Sequence, residues 1–82
     1  MYDIELSELS RGFLRKLPKV ESEIILKKVY SIRENPFRFL KKLQGNKLWR
    51  LRVKDYRAII DVVISKNRII VLRIGNRKNI YN

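Results

Sequence analysis

The chain has 82 residues, a formal net charge of +12, an apolar fraction of 45%, and neither cysteine nor histidine. That length suits one small domain around one core. The missing residue types exclude disulfides and thiolate metal sites, and a zinc centre would have to rest on eight carboxylates alone.

Tyr2-Asp3-Ile4-Glu5-Leu6 alternates polar and apolar residues and predicts a short opening strand. Ser7 is a good helix N-cap, and Glu8 puts a carboxylate in the first turn, where the helix dipole favours it. Leu9, Phe13, Leu14 and Leu17 then form an apolar stripe at helical spacing, which Pro18 ends. A second helix is expected over 19–35. Its apolar face is Val20, Ile24, Ile25, Val29 and Ile32, Glu23 and Lys27 are spaced to pair, and Asn35-Pro36 stops it. The two segments predict an antiparallel helix pair.

Residues 37–46 read as a connector, with Lys41, Lys42 and Lys47 leading into a basic segment and Gly45-Asn46 supplying turn chemistry. Three strands should follow, at 48–53, 56–64 and 68–74, joined by hairpin-sized links. In the first, Trp49, Leu51 and Val53 face one way and Arg50, Arg52 and Lys54 the other, with Arg57 within reach after the turn. The middle strand is largely apolar on both faces from 59 to 64, so it is either central or leaves one face for a partner. The third runs into Gly75 and the tail Asn76-Arg77-Lys78-Asn79-Ile80-Tyr81-Asn82. The expected fold is α+β: an N-terminal strand, a helix pair, then a three-stranded antiparallel meander, with the helices on one face of a small sheet.

No apolar run approaches the about 20 residues of a membrane span, and the opening residues are not a secretory signal, so a cytoplasmic protein is expected. The charge is unevenly spread. Residues 1–40 carry eight Lys/Arg against six Asp/Glu, residues 41–82 twelve against two. A one-signed half points to a nucleic acid, an acidic protein, or both.

Few side chains can carry chemistry. The serines have no base, two carboxylates in the strand half are too few for a two-metal nuclease, and no glycine-rich phosphate loop is present. Cations and phenols remain. RNA brings its own nucleophile, the 2′-hydroxyl, so a site that aligns it and stabilises the phosphate needs neither a metal nor a protein nucleophile. Arg50, Arg52, Arg57 and Arg77 suit the phosphate role, since guanidinium is planar, always charged and bidentate. Tyr81 or Tyr56 can serve as base if neighbouring cations lower the phenol pKa. The plainer readings stand beside these: Trp49 as a core anchor rather than a stacking platform, Tyr56 as turn packing, Arg73 as a local hydrogen-bond donor, and the arginines as electrostatic glue for an acidic partner.

The run Leu48-Trp49-Arg50-Leu51-Arg52-Val53-Lys54-Asp55-Tyr56-Arg57, with Ile70-Val71-Leu72-Arg73-Ile74-Gly75-Asn76-Arg77-Lys78-Asn79-Ile80-Tyr81, resembles the RelE family of toxin–antitoxin toxins over nearly the whole chain. The resemblance implies a RelE-like domain over 1–82 and a ribosome-dependent mRNA endonuclease working in the decoding site by metal-independent 2′-hydroxyl attack, with no cofactor. It also implies an acidic, RelB-like antitoxin that wraps the toxin in a hetero-oligomer. By the same resemblance, Arg50 and Arg52 match basic positions of the first hairpin strand. Arg57 matches the holder of the scissile phosphate, Arg77 the leaving-group or transition-state stabiliser, and Tyr81 the base. Lys41, Lys42, Lys47, Lys54, Arg73 and Lys78 would extend the surface toward RNA and ribosome. Asn76 stands where many members carry histidine, which removes a proton carrier. Two other readings are a ParE-like inhibitor of DNA gyrase and an RNA-binding module without activity.

Overall fold

The computed structural model describes residues 1–76. Its elements are β1 (Asp3–Leu6), α1 (Glu8–Lys16), α2 (Lys19–Ser31), β2 (Lys41–Lys42), β3 (Trp49–Val53), β4 (Tyr56–Val63) and β5 (Arg68–Asn76). Single 3-10 turns occur at Pro36–Arg38 and Ile64–Lys66. The strands form one mixed sheet in the order β1-β5-β4-β3-β2. β1 runs parallel to β5, and every other pairing is antiparallel. The α+β architecture is as expected, with two additions: the opening strand closes one edge of the sheet, and Lys41-Lys42 in the connector forms the other.

Local chemistry explains the helix ends. Ser7 caps α1 by accepting the Ser10 N–H, and Leu17 is extended because it precedes Pro18. α2 ends at Ser31, short of the expected 35. Asn35 is held out of the helical region by Pro36 (φ −146°, ψ 74°), and the Ile32 and Arg33 N–H groups tighten into three-residue bonds with the Val29 and Tyr30 carbonyls. Ile32 nevertheless stays fully buried.

Helix α1 lies against β5 and α2 against β3. Between helices and sheet sits one core: Leu14, Ile25, Val29 and Ile32 meet Leu51, Val53, Ala58, Ile60, Ile69, Val71 and Ile74. The alternation read in β3 holds, with Leu51 and Val53 buried and Arg52 exposed. β4, largely apolar on both faces from residue 59 on, is the central strand, and Ile64 leaves it for the following turn, where it is exposed. No helix among the described residues is long and apolar enough to cross a membrane.

A register shift controls which way β5 points. Ile60 faces Val71 and Ile59 faces Arg73, so Leu72 is the extra residue of a bulge. Buried Val71 and buried Ile74 therefore share the helix side despite their odd spacing. The bulge is tied down by the start of α1: the Ser7 hydroxyl donates to the Leu72 carbonyl at 2.6 Å, and the Ser10 hydroxyl donates to Val71 at 2.8 Å. Ser10 is fully buried and needs that acceptor.

Candidate nucleic-acid interface

The sheet face turned away from the helices is built of cross-strand ranks. Lys41, Arg50, Ile59 and Arg73 lie in one, and Arg52, Arg57 and Gly75 in the next. Residues directly opposite on neighbouring strands hold their Cβ atoms about 5 Å apart, and like charges so placed repel. The pairs Lys41↔Arg50 and Arg52↔Arg57 are of this kind. At the other end of the face stand Asp61, Ile70 and Glu5, then Val63, Arg68 and Asp3, where Arg68 pairs with Glu5 at 3.1 Å. The face thus passes from acidic to strongly basic along its length. Arg50, Arg52, Arg57 and Arg73 are gathered on one surface.

The bulge is what brings Arg73 there. In an unbroken strand it would share a side with Ile69 and Val71 and point into the core. Past Leu6 no strand among the described residues lies beyond β5, and Arg73 also borders a cleft of about 450 Å³ between β5 and the Leu9, Gly12 and Phe13 side of α1.

Arg57 is 5% exposed, unlike exposed Arg52 beside it. Its Nη1 donates to the Lys54 carbonyl at 3.3 Å and the Tyr56 carbonyl at 3.1 Å. Gly75, its neighbour on β5, brings no side chain into the space beside it. A guanidinium held by two carbonyls keeps its planar fork in one orientation, the condition for bidentate phosphate recognition. The turn that it braces carries Lys54 at φ 53°, a left-handed conformation at a non-glycine residue.

The connector lysines separate. Lys41 joins the basic row opposite Arg50, whereas Lys42 falls in register with Trp49 on the other side, its Nζ 5.0 Å from the ring centroid. Lys47 is exposed in the loop before β3. Period-two alternation is the signal that divides 41 from 42, but two residues are too few to reveal it without the pairing.

Tyr56 faces the helices: its ring meets Phe13 edge-on at 5.9 Å, and its hydroxyl donates to Glu21 Oε1 at 3.3 Å. Desolvation of the half-buried ring, then the charge and hydrogen bond of Glu21 and the charge of Asp55, push its phenol pKa up. Its hydroxyl is thus engaged by Glu21 on the helix side of the sheet and not set among the cations of the other face. Trp49 is half-buried: it packs against the core and meets Phe37 edge-on at 5.0 Å while part of its ring stays at the surface. Arg77, Lys78 and Tyr81 lie outside the described residues. Among the described residues no group of three or more carboxylates gathers.

A family model described as ParE toxin of type II toxin–antitoxin system, parDE, matches residues 4–81. No curated protein matches the chain. Among solved structures, a chain of the toxin–antitoxin complex RelBE2 from Mycobacterium tuberculosis is similar at a TM-score of 0.85 and 20% identity, over 93% of this chain and 98% of that one. A chain of the archaeal RelE–RelB complex from Pyrococcus horikoshii is similar at 0.80 and 26% identity, over 95% and 97%. The isolated RelE toxin of E. coli is similar at 0.80 and 24%, over 93% and 84%. At these identities most of the structural matches speak for the fold, while the family model spans nearly every residue from β1 to the tail. The chain therefore belongs to the ParE toxin family of type II toxin–antitoxin systems, with the fold of its RelE relatives.

Proposed function

We propose that this toxin is an mRNA endonuclease that works on the ribosome in the cytoplasm and cuts in the decoding site. The observation that carries the reading is the concentration of Lys41, Arg50, Arg52, Arg57 and Arg73 on the face of the sheet turned away from the helices. A phosphate chain relieves the repulsion among these cations that the fold itself creates. Cleavage is attack of a 2′-oxygen on the adjacent phosphorus with departure of the 5′-oxygen, leaving a 2′,3′-cyclic phosphate and a 5′-hydroxyl. Arg50, Arg52 and Arg57 stabilise charge on the phosphate oxygens, and Arg77 acts on the leaving group. Tyr81 accepts the 2′-proton, and the departing 5′-oxygen takes its proton from solvent water. With Asn76 next to Arg77 and arginines at 50 and 52, the chain offers poor proton donors. Alignment of the substrate by the ribosome has to supply much of the rate.

The partner that silences the toxin is an acidic, RelB-like antitoxin. Relatives of the same fold are solved as RelE–RelB complexes, and a chain of net charge +12 suits an acidic binder.

Induced expression followed by mapping of RNA ends tests the reading. Cuts at ribosome-positioned codons with 5′-hydroxyl ends are expected, lost in Arg77→Ala and reduced about 100-fold in Arg57→Ala under single turnover, the cost of one oriented transition-state contact. Cleavage by Arg77→Ala at the wild-type rate would remove the assignment of that residue. A second reading, poisoning of DNA gyrase by protein contact, is favoured by the ParE description of the family model. Intact mRNA together with DNA breaks and an SOS response would replace the first reading with this one.

A further inference from the structure

On the helix side of the sheet near β2 and β3, away from the basic row, two ring–cation groups meet at the 3-10 turn Pro36–Arg38 and make one strip. Phe37 and Phe39 flank Arg38 in the 3-10 turn and are 39% and 41% exposed. Lys28 Nζ lies 5.0 Å from the Phe39 ring centre and the Arg38 guanidinium 5.8 Å from it. Phe37 meets Trp49 edge-on at 5.0 Å, and Lys42 covers Trp49 at 5.0 Å. No ion pair to a described carboxylate holds any of the three cations. The nominally balanced first half of the chain hides this cluster: residues 27–42 carry six Lys/Arg and only Glu34.

We propose that Phe37, Phe39 and Trp49, with Lys28, Arg38 and Lys42, form a second RNA surface that stacks unpaired bases of a single strand. Two exposed phenylalanines two residues apart are a poor solvent surface, and a lysine laid over an exposed ring is a weak cover. A base stacked on the same ring holds more strongly, and the displaced ammonium is then free to meet the neighbouring phosphate. Every base has a π-face, so the surface is indifferent to sequence. Acidic side chains satisfy the cations but offer the three rings no aromatic face to stack on. The inference adds a site to the one on the face turned away from the helices, and its test reads binding rather than cleavage, so the two fail separately.

Trp49, the single tryptophan of the chain, reports on the strip directly. The full chain is titrated with a single-stranded 2′-O-methyl oligoadenylate of about twelve nucleotides, which has no 2′-hydroxyl to be cut and offers enough bases for one such surface. Quenching of Trp49 is expected. Phe37→Leu/Phe39→Leu should weaken the quenching-detected affinity about tenfold while leaving its salt slope unchanged. Phe37→Tyr/Phe39→Tyr should bind as wild type, which separates stacking from a folding defect. Arg38→Gln/Lys42→Gln should lower the slope of log K against log salt by about 1.4, the share of two phosphate contacts on a single strand. Three results overturn the proposal: no quenching, equal affinity in the leucine variant, or a duplex of the same length binding as tightly as the single strand. Tighter quenching by a deca-glutamate peptide than by the RNA would assign the strip to a protein partner instead.

Discussion

The Tyr56 hydroxyl donates to Glu21 Oε1 at 3.3 Å, joining the start of β4 to the first turn of α2. Because its pKa is raised in the fold, the neutral phenol is the form that the native state prefers. The stability it contributes is complete below the ordinary phenol range and is lost as pH rises through the higher folded value. Urea midpoints of wild type and Tyr56→Phe should therefore converge above about pH 10, with wild type losing its advantage. Parallel curves across that range would mean that the bond contributes nothing. Arg57 shows a different limit of single-residue reading. The family resemblance marked it as a phosphate ligand, and the register puts it among the cations, but neither its burial nor its bonds to the Lys54 and Tyr56 carbonyls could be read from the sequence.

At the scale of elements, the junction of α1 with the β5 bulge governs the layout of the basic face. Ser7 has two duties: it caps α1 and donates to the freed Leu72 carbonyl. Loss of a cap alone costs about 1 kcal/mol, and an orphaned carbonyl adds to it, so Ser7→Ala should destabilise the protein by about 2 kcal/mol in urea unfolding. A loss below about 0.5 kcal/mol would mean that water replaces both bonds and the bulge holds itself. The helices and the three long strands were legible because each shows several turns of helical spacing or several steps of alternation. The bulge left only a faint trace, the break in parity between Val71 and Ile74, which linear reading passes over as one more apolar residue. β2 left less still: nothing in Lys41-Lys42 says that one lysine joins Arg50 while the other covers Trp49.

Across the whole molecule, +12 on 82 residues is a standing cost to the folded state, since compaction brings the cations together. Raising NaCl from about 20 to about 300 mM shortens the screening length several-fold and should raise the melting temperature by about 5 °C, which corresponds to about 1 kcal/mol for a domain of this size. A fall in melting temperature over that range would show that surface ion pairs, not repulsion, dominate the long-range electrostatics. An acidic partner should stabilise more than salt, because it neutralises the same cations and binds only the native state. Both effects follow from charge that the fold concentrates rather than disperses.

Composition and periodicity by themselves determined the α+β class, the helix pair, the alternation of β3 and the excess of cations in the second half, because each is a property of neighbours along the chain. Only the tertiary structure decided the parallel pairing of β1 with β5, the side on which Arg73 and Lys42 lie, the burial of Arg57 and the helix-side placement of Tyr56. Those depend on strand register and on which elements meet across the sheet. A shift of one residue in register turns a side chain from one face to the other, and no local pattern records it.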